Sequence, residues 1–214
     1  TGQLTEALAA YEQALTIDSD HPLPYYHRGI ALRNADRSVE AEQDFLRVTT
    51  LLPDFAAGWA HLGRALGAQE RYADALAAFD RAIELNSDLR DIHYWRGMAL
   101  LNLERFSEAV TAFDTAATAN PNSTQIWFYR GNSLFRLSQY EAALDSYDRA
   151  IGLSPEFVSA WYNRSMALAN LGRYEDAVDA LKTVLEIDPD NADAQAKLAE
   201  FERLVRQGNS SDWV

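Results

Sequence analysis

The chain of 214 residues has no cysteine. That excludes disulfide staples, thiol nucleophiles and cysteine-ligated zinc, and it fits a reducing compartment, so a cytoplasmic location is expected. Basic residues are scarce: 19 Lys and Arg face 32 Asp and Glu, for a formal net charge of −13. No Lys/Arg cluster offsets this excess, so a nucleic-acid partner would be repelled through its phosphates, and an anionic membrane surface for the same reason. No run approaches the roughly 18 apolar residues of a membrane span, and membrane insertion is not expected. No leader segment is recognisable, and the first residue is Thr rather than Met, so the natural start is expected to lie upstream. Also missing are a phosphate-cradling Gly-rich loop, an HExxH metal motif and a nucleophile elbow. The many carboxylates sit on helical faces expected to be solvated. No catalytic residue, cofactor or metal is therefore expected, and the chain does not read as an enzyme. Asn122 and Asn163 open N-x-S/T triplets, which carry little weight without a secretion signal.

What the chain does contain is one sentence written several times. "WFYRGNSLFRLSQYEAA" from Trp127 returns as "WYNRSMALANLGRYEDA" from Trp161, a step of 34 residues. The same step links Tyr25, Trp59 and His93. Four positions on stands a small residue: Gly29, Gly63, Gly97, Gly131 and Ser165. Ala7, Ala41, Ala75, Ala109, Ala143 and Ala177 form a further column. A large residue follows each alanine by four: Tyr11, Phe45, Phe79, Phe113, Tyr147 and Leu181. Pro53, Pro121, Pro155 and Pro189 close most units, with Ser19 and Ser87 in the other two.

This period and these columns resemble the tetratricopeptide repeat (TPR), a helix–turn–helix unit of 34 residues. Nearly the whole chain is covered, and the wording is similar to bacterial arrays, cyanobacterial ones in particular. The resemblance implies an all-α, right-handed superhelical solenoid. The residues support it independently. Leu76, Phe79, Ala82 and Ile83 recur at helical spacing. The small columns let helices approach closely, and the large columns fill the space around each crossing. Turns are expected around Asp36, Glu70, Glu104, Ser138 and Gly172, with Tyr72, Phe106, Tyr140 and Tyr174 plugging their ends. One hairpin cannot bury its own apolar face, whereas stacked copies can.

A single array over 1–207 is expected. Residues 1–21 match only the second helix of a unit, leaving Leu4, Leu8, Tyr11 and Leu15 with an uncovered flank. That suits a fragment of a longer array, or a homo-oligomer that stacks through this incomplete unit. Five full units follow at 22–55, 56–89, 90–123, 124–157 and 158–191. A capping helix is expected over 192–207, apolar at Leu198, Phe201 and Leu204 and charged elsewhere. Residues 208–214 are read as a flexible tail.

In the family, first helices line a concave face on which peptides lie. The groove positions implied are Tyr26, Ala60, Tyr94, Phe128 and Tyr162; then His27, His61, Trp95, Tyr129 and Asn163; then Ile30, Arg64, Met98, Asn132 and Met166. Arg33, Leu101, Asn102, Phe135, Arg136 and Asn170 complete the wall. A peptide-binding patch of Tyr94, Trp95, Met98, Phe128, Tyr129, Asn132, Phe135, Tyr162, Asn163 and Met166 is expected, since aromatics anchor interaction surfaces. Tyr26, His27, His61 and Arg64 form a secondary groove. Position-five rings also pack between units in the family, so a purely structural role stands beside the binding one. Asn132 and Asn163 match two positions of the carboxylate clamp of TPR co-chaperones. Phe128 replaces its lysine, however, and Asp193 and Lys197 stand where two cations belong, so no working clamp is expected; the two amides remain able to hold a peptide backbone. His27 and His61 are too few for a metal and read either as solvated residues or as a pH-sensitive contact. His93 reads as a packing substitution. Arg28, Arg96, Arg130 and Arg164 are expected to pack structurally, with Asp80, Asp114 and Asp148 as partners. The overall expectation is a protein-interaction scaffold for a peptide or protein segment. A self-assembling superhelix, or the targeting arm of an enzyme whose catalytic part lies outside the chain, is the alternative.

Overall fold

The computed structural model describes residues 2–89 and 91–211. Among them every regular element is an α-helix. Contacts divide the helices into two compact units, 1–105 and 106–214, and the division falls inside the repeat 90–123.

The first unit holds α1 (Gly2–Ile17), α2 (Pro22–Asn34), α3 (Ser38–Leu51), α4 (Ala56–Gly67), α5 (Tyr72–Leu85) and α6 (Ile92–Asn102). Each helix packs on the next, and α4 also touches α2 and α6. The second unit holds α7 (Phe106–Ala119), α8 (Thr124–Arg136), α9 (Tyr140–Leu153), α10 (Val158–Asn170), α11 (Tyr174–Ile187) and α12 (Ala192–Ser211). Again each packs on its successor, and α8 touches α10. The last helix runs to Ser211, four residues past the end expected from the sequence. Of the tail read over 208–214, residues 208–211 are helical, and 212–214 lie outside the described residues.

The turn inside each hairpin has one geometry. Asp36, Glu70, Glu104, Ser138 and Gly172 all take a left-handed backbone, with φ between 58° and 76°. The amide after each of these donates back to the carbonyl five residues earlier, as Arg37 N does to Leu32 O (2.9 Å) and Arg71 N to Leu66 O (3.1 Å). This reversal satisfies the orphan carbonyls of the first helix, and the donor residue then begins the second. The second helices end two residues before the proline column, at Leu51, Ala119, Leu153 and Ile187; α5, with Ser87 there, ends at the equivalent Leu85. Proline suits this stop, because the residue before it favours extended backbone, but the stop forms without it.

The columns meet as the spacing predicts. A methyl group added to Gly63 would lie 2.6 Å from the Phe79 ring, and one on Gly131 2.6 Å from the Tyr147 ring. Ser165 is tolerated in the repeat that has Leu181 instead of an aromatic, and both are fully buried. Between hairpins, the indole N–H of Trp59, Trp127 and Trp161 donates to the carbonyl of Pro53, Pro121 and Pro155 at 2.8–2.9 Å. Tyr25 makes the same reach to Ser19 O (3.1 Å), and Gln195 to Pro189 O (2.8 Å). At the His93 position the joint differs: Asp91 is left-handed at φ 61°, and α6 opens at Ile92.

The arginine column is structural. Arg96, Arg130 and Arg164 each donate through Nε to Asp80, Asp114 and Asp148, all at 2.6 Å. Arg28 instead forms a two-pronged pair with Asp44 of its own hairpin, at 2.7 and 2.9 Å. Asp44 is buried to 3% exposure in a column otherwise occupied by Ala78, Ala112, Ser146 and Ala180.

Candidate functional site

The candidate surface falls on both units. In the second, α8 presents Phe128, Tyr129, Asn132 and Phe135, and α10 presents Tyr162, Asn163 and Met166. All are half-buried. Phe128 is embedded in ring contacts: Phe157, Tyr129 and Tyr147 lie 4.8, 5.3 and 6.2 Å away between centroids. Tyr129 stacks at 6.2 Å on Phe113, and Phe135 meets Tyr140 edge-on at 5.4 Å. These rings therefore serve the core with part of their surface and leave the rest at the solvent boundary.

The two amides are joined to each other and to the core by hydrogen bonds. Asn132 Oδ1 accepts from the Tyr147 hydroxyl (2.9 Å) and from Asn163 Nδ2 (2.8 Å). Burial raises the Tyr147 pKa, which keeps the hydroxyl protonated and donating. The bonds fix both amides, leaving Asn132 Nδ2 and Asn163 Oδ1 without a partner among the described residues. Neither is buried, since no buried side-chain N or O atom lacks a partner there. An open donor and an open acceptor match what a peptide group offers in return. The clamp pattern is not completed: Lys197 pairs with Glu200 at 2.9 Å.

In the first unit, α6 carries Tyr94, Trp95 and Met98, all half-buried, with Tyr94 and Trp95 edge-on at 5.1 Å. Arg64 of α4 sits over the Trp95 ring, 4.5 Å from its centroid. The secondary-groove residues interlock: Tyr26 meets His27 at 5.3 Å and His61 at 5.4 Å. His27 is exposed, but His61 stacks on Phe45 at 5.4 Å and accepts at Nδ1 from Arg33 at 3.1 Å. Burial, then Arg33 and Arg64, push the His61 pKa down to about 4. It is neutral near pH 7, which corrects both the solvated reading and the pH-sensing reading for this histidine. Among the described residues no group of three His, Cys, Asp or Glu converges as a metal site would require. No helix there is long and apolar enough to cross a membrane.

A cavity of about 380 Å³ opens between α2, α4 and α6. Gly63, Gly67 and Ala68 leave α4 without bulk on that side, and Ser38 stands where later hairpins carry an aromatic plug. Arg33, Arg64, Trp95 and Met98 also line it. Sequence reasoning placed Arg33, Arg64, Trp95 and Met98 on the groove wall but missed the void, whose signal was Ala68 in a column that otherwise holds Asn34, Asn102, Arg136 and Asn170, beside Gly67 where the next two units carry Leu101 and Phe135.

These hairpins, their shared turn and their repeated joints define an all-α helical-repeat solenoid. Family comparison makes the assignment specific. A tetratricopeptide repeat profile matches residues 61–124 and 128–192, and a TPR repeat profile matches residues 1–34, so the chain belongs to the tetratricopeptide repeat family. Among solved structures it is similar to YrrB, described as a TPR protein with an unusual peptide-binding site, at 22% identity and a TM-score of 0.79, covering 88% of this chain and 97% of that one. It is also similar to MamA of Desulfovibrio magneticus RS-1, at 16% identity and a TM-score of 0.76, covering 80% and 97%. A further MamA, MSR-1, gives 24% identity and a TM-score of 0.73, covering 80% and 98%. At these identities the likeness is one of fold. No curated protein matches the chain by sequence.

Proposed function

We propose that the chain is a protein-interaction scaffold whose α8–α10 face holds an extended segment of a partner protein. The observation that carries this reading is the Asn132–Asn163 pair, locked by Tyr147 and left with one outward donor and one outward acceptor. Phe128, Tyr129, Tyr162 and Met166 flank it and supply apolar contact. Because the rings and amides are already held by the core, little ordering is required of the receptor when a segment docks. Full burial of one ring contributes about 1.5–3 kcal/mol. Several partly buried anchors must offset roughly 4–15 kcal/mol of association cost, so affinities are in the micromolar range.

The test is selection of peptides from a random library on the intact chain, followed by titration against Asn163→Ala and Tyr129→Ala. Loss of about tenfold or more in each variant is expected. Peptides that bind both variants as well as the original would place the docking face elsewhere.

A second reading, self-association, is favoured by one observation. Among the described residues the exposed large apolar side chains are Ile17, Leu23, Val39, Leu46 and Leu52, all in the first two hairpin segments. Sedimentation over a range of concentrations decides it: Leu46→Lys should reduce any association, and a monomer throughout excludes it for this chain.

A further inference from the structure

We infer that the cavity between α2, α4 and α6 is an anion site that receives a carboxylate side chain of an acidic partner segment, held between Arg33 and Arg64. The inference rests on the peptide-docking reading, since a protein segment brings the carboxylate, and it adds the chemistry that segment must have.

The argument begins with charge pairing. In a chain with an excess of 13 carboxylates, a half-buried arginine has no shortage of partners. Arg28, Arg96, Arg130 and Arg164 each hold an aspartate. Arg33 and Arg64, equally half-buried, form no ion pair among the described residues. Arg33 donates only to neutral acceptors, His61 Nδ1 (3.1 Å) and Asn34 Oδ1 (3.2 Å). Arg64 lies over Trp95. Asp36 also lines the cavity, and Asp91 acts on Arg64 at longer range, yet neither pairs with either arginine.

Two cations drawn toward one void without a counter-ion are individually costly. Burial first, then Arg33, brings the Arg64 pKa down to about 10, and burial lowers that of Arg33. Their positions near the ends of α2 and α4 suit a cation, because carbonyls converge there. That explains each arginine alone but not why both border the same opening. The Trp95 ring covers one side of the Arg64 guanidinium at 4.5 Å, and the in-plane N–H donors of a guanidinium have the geometry that receives a carboxylate. Only Ala75, at 3.9 Å, meets a methyl group built on Gly67, so the floor of the cavity is open space that a larger residue would fill.

The probe is a hexaglutamate peptide titrated into the intact chain by calorimetry, with the arginine Nε–H resonances of Arg33 and Arg64 followed by NMR. Hexaglutamine and inorganic phosphate are the comparison ligands. Binding of hexaglutamate with shifts at both resonances is expected. Arg33→Gln, Arg64→Gln and Gly67→Leu should each weaken it by about tenfold or more, the last without removing a charge. Circular dichroism melts establish that each variant is folded, and three independent variants keep the test open if one is not. No binding to the original chain, equal binding to all variants, or equal binding of hexaglutamine overturns the site. Binding of phosphate with no binding of hexaglutamate overturns the carboxylate assignment. Peptides selected on the α8–α10 face should keep their affinity in Arg64→Gln, so failure of that face and failure of this cavity are read separately.

Discussion

Gly63 and Gly131 stand where an aromatic ring leaves no room for a methyl group. Gly63→Ala and Gly131→Ala must displace Phe79 or Tyr147, and each should cost about 1–3 kcal/mol in urea unfolding, although alanine is the better helix former. At Gly67 the space is free, and Gly67→Ala should be neutral or stabilising by the same measurement. The titration of His61 gives a second residue-scale test. Its folded pKa of about 4 lies below the ordinary 6.5. Between those values the unfolded chain binds the proton and the folded chain does not, so stability falls as pH drops through that window and the loss is complete below about 4. The linked loss is on the order of 3 kcal/mol. His61→Gln should flatten that part of the pH profile relative to the original chain; parallel profiles from pH 7 to 4 would contradict it. The glycine columns were readable in the sequence because their spacing repeats. His61 and Asp44 were not, because a single copy of a polar residue does not reveal whether its face is wet or packed.

At the scale of the helical hairpin, the turn column explains why five different sequences make one bend. Four of its members are Asp, Glu or Ser in a left-handed conformation that costs a side-chain-bearing residue roughly 1–2 kcal/mol, and only Gly172 avoids this. Glu70→Gly should therefore stabilise the chain by about 0.5–1 kcal/mol, and Gly172→Ala should destabilise it by a similar amount, both read from denaturant midpoints. The helix order was legible throughout, since apolar period, small columns and stop residues agreed with one another. The length of α12 was not: its last turn contains Gly208, Asn209, Ser210 and Ser211, residues that suggest a loop, yet the helix runs through them. The proposed docking face was half legible. Position within the repeat located the rings and amides, but the bond from Tyr147 that decides which amide atoms stay open crosses between helices and leaves no mark in spacing.

Across the whole molecule, closure is uneven. Ala41, Ala75, Ala109, Ala143 and Ala177 are sealed at 0% exposure, whereas Ala7 in the same column is only half-buried, as are Leu4, Leu8, Tyr11 and Leu15 beside it. Amides of α1 should exchange with solvent roughly tenfold or more faster than those of α3, which hydrogen-exchange mass spectrometry will show; equal protection would mean that α1 is held by more than its packing on α2. A different kind of consequence follows from the bond between each indole and the proline carbonyl six residues before it. Since Trp127 and Trp161 make the same reach, excising residues 124–157 would leave Pro121 six residues before Trp161 and Asp114 sixteen before Arg164, so that this bond and this ion pair are kept, while Phe113 would meet Asn163 in place of the Tyr129 ring. Loss or duplication of a segment of that length therefore keeps the polar bonds of the joint and asks only the rings beside it to repack, so the number of repeats is easier to change than the identity of each joint.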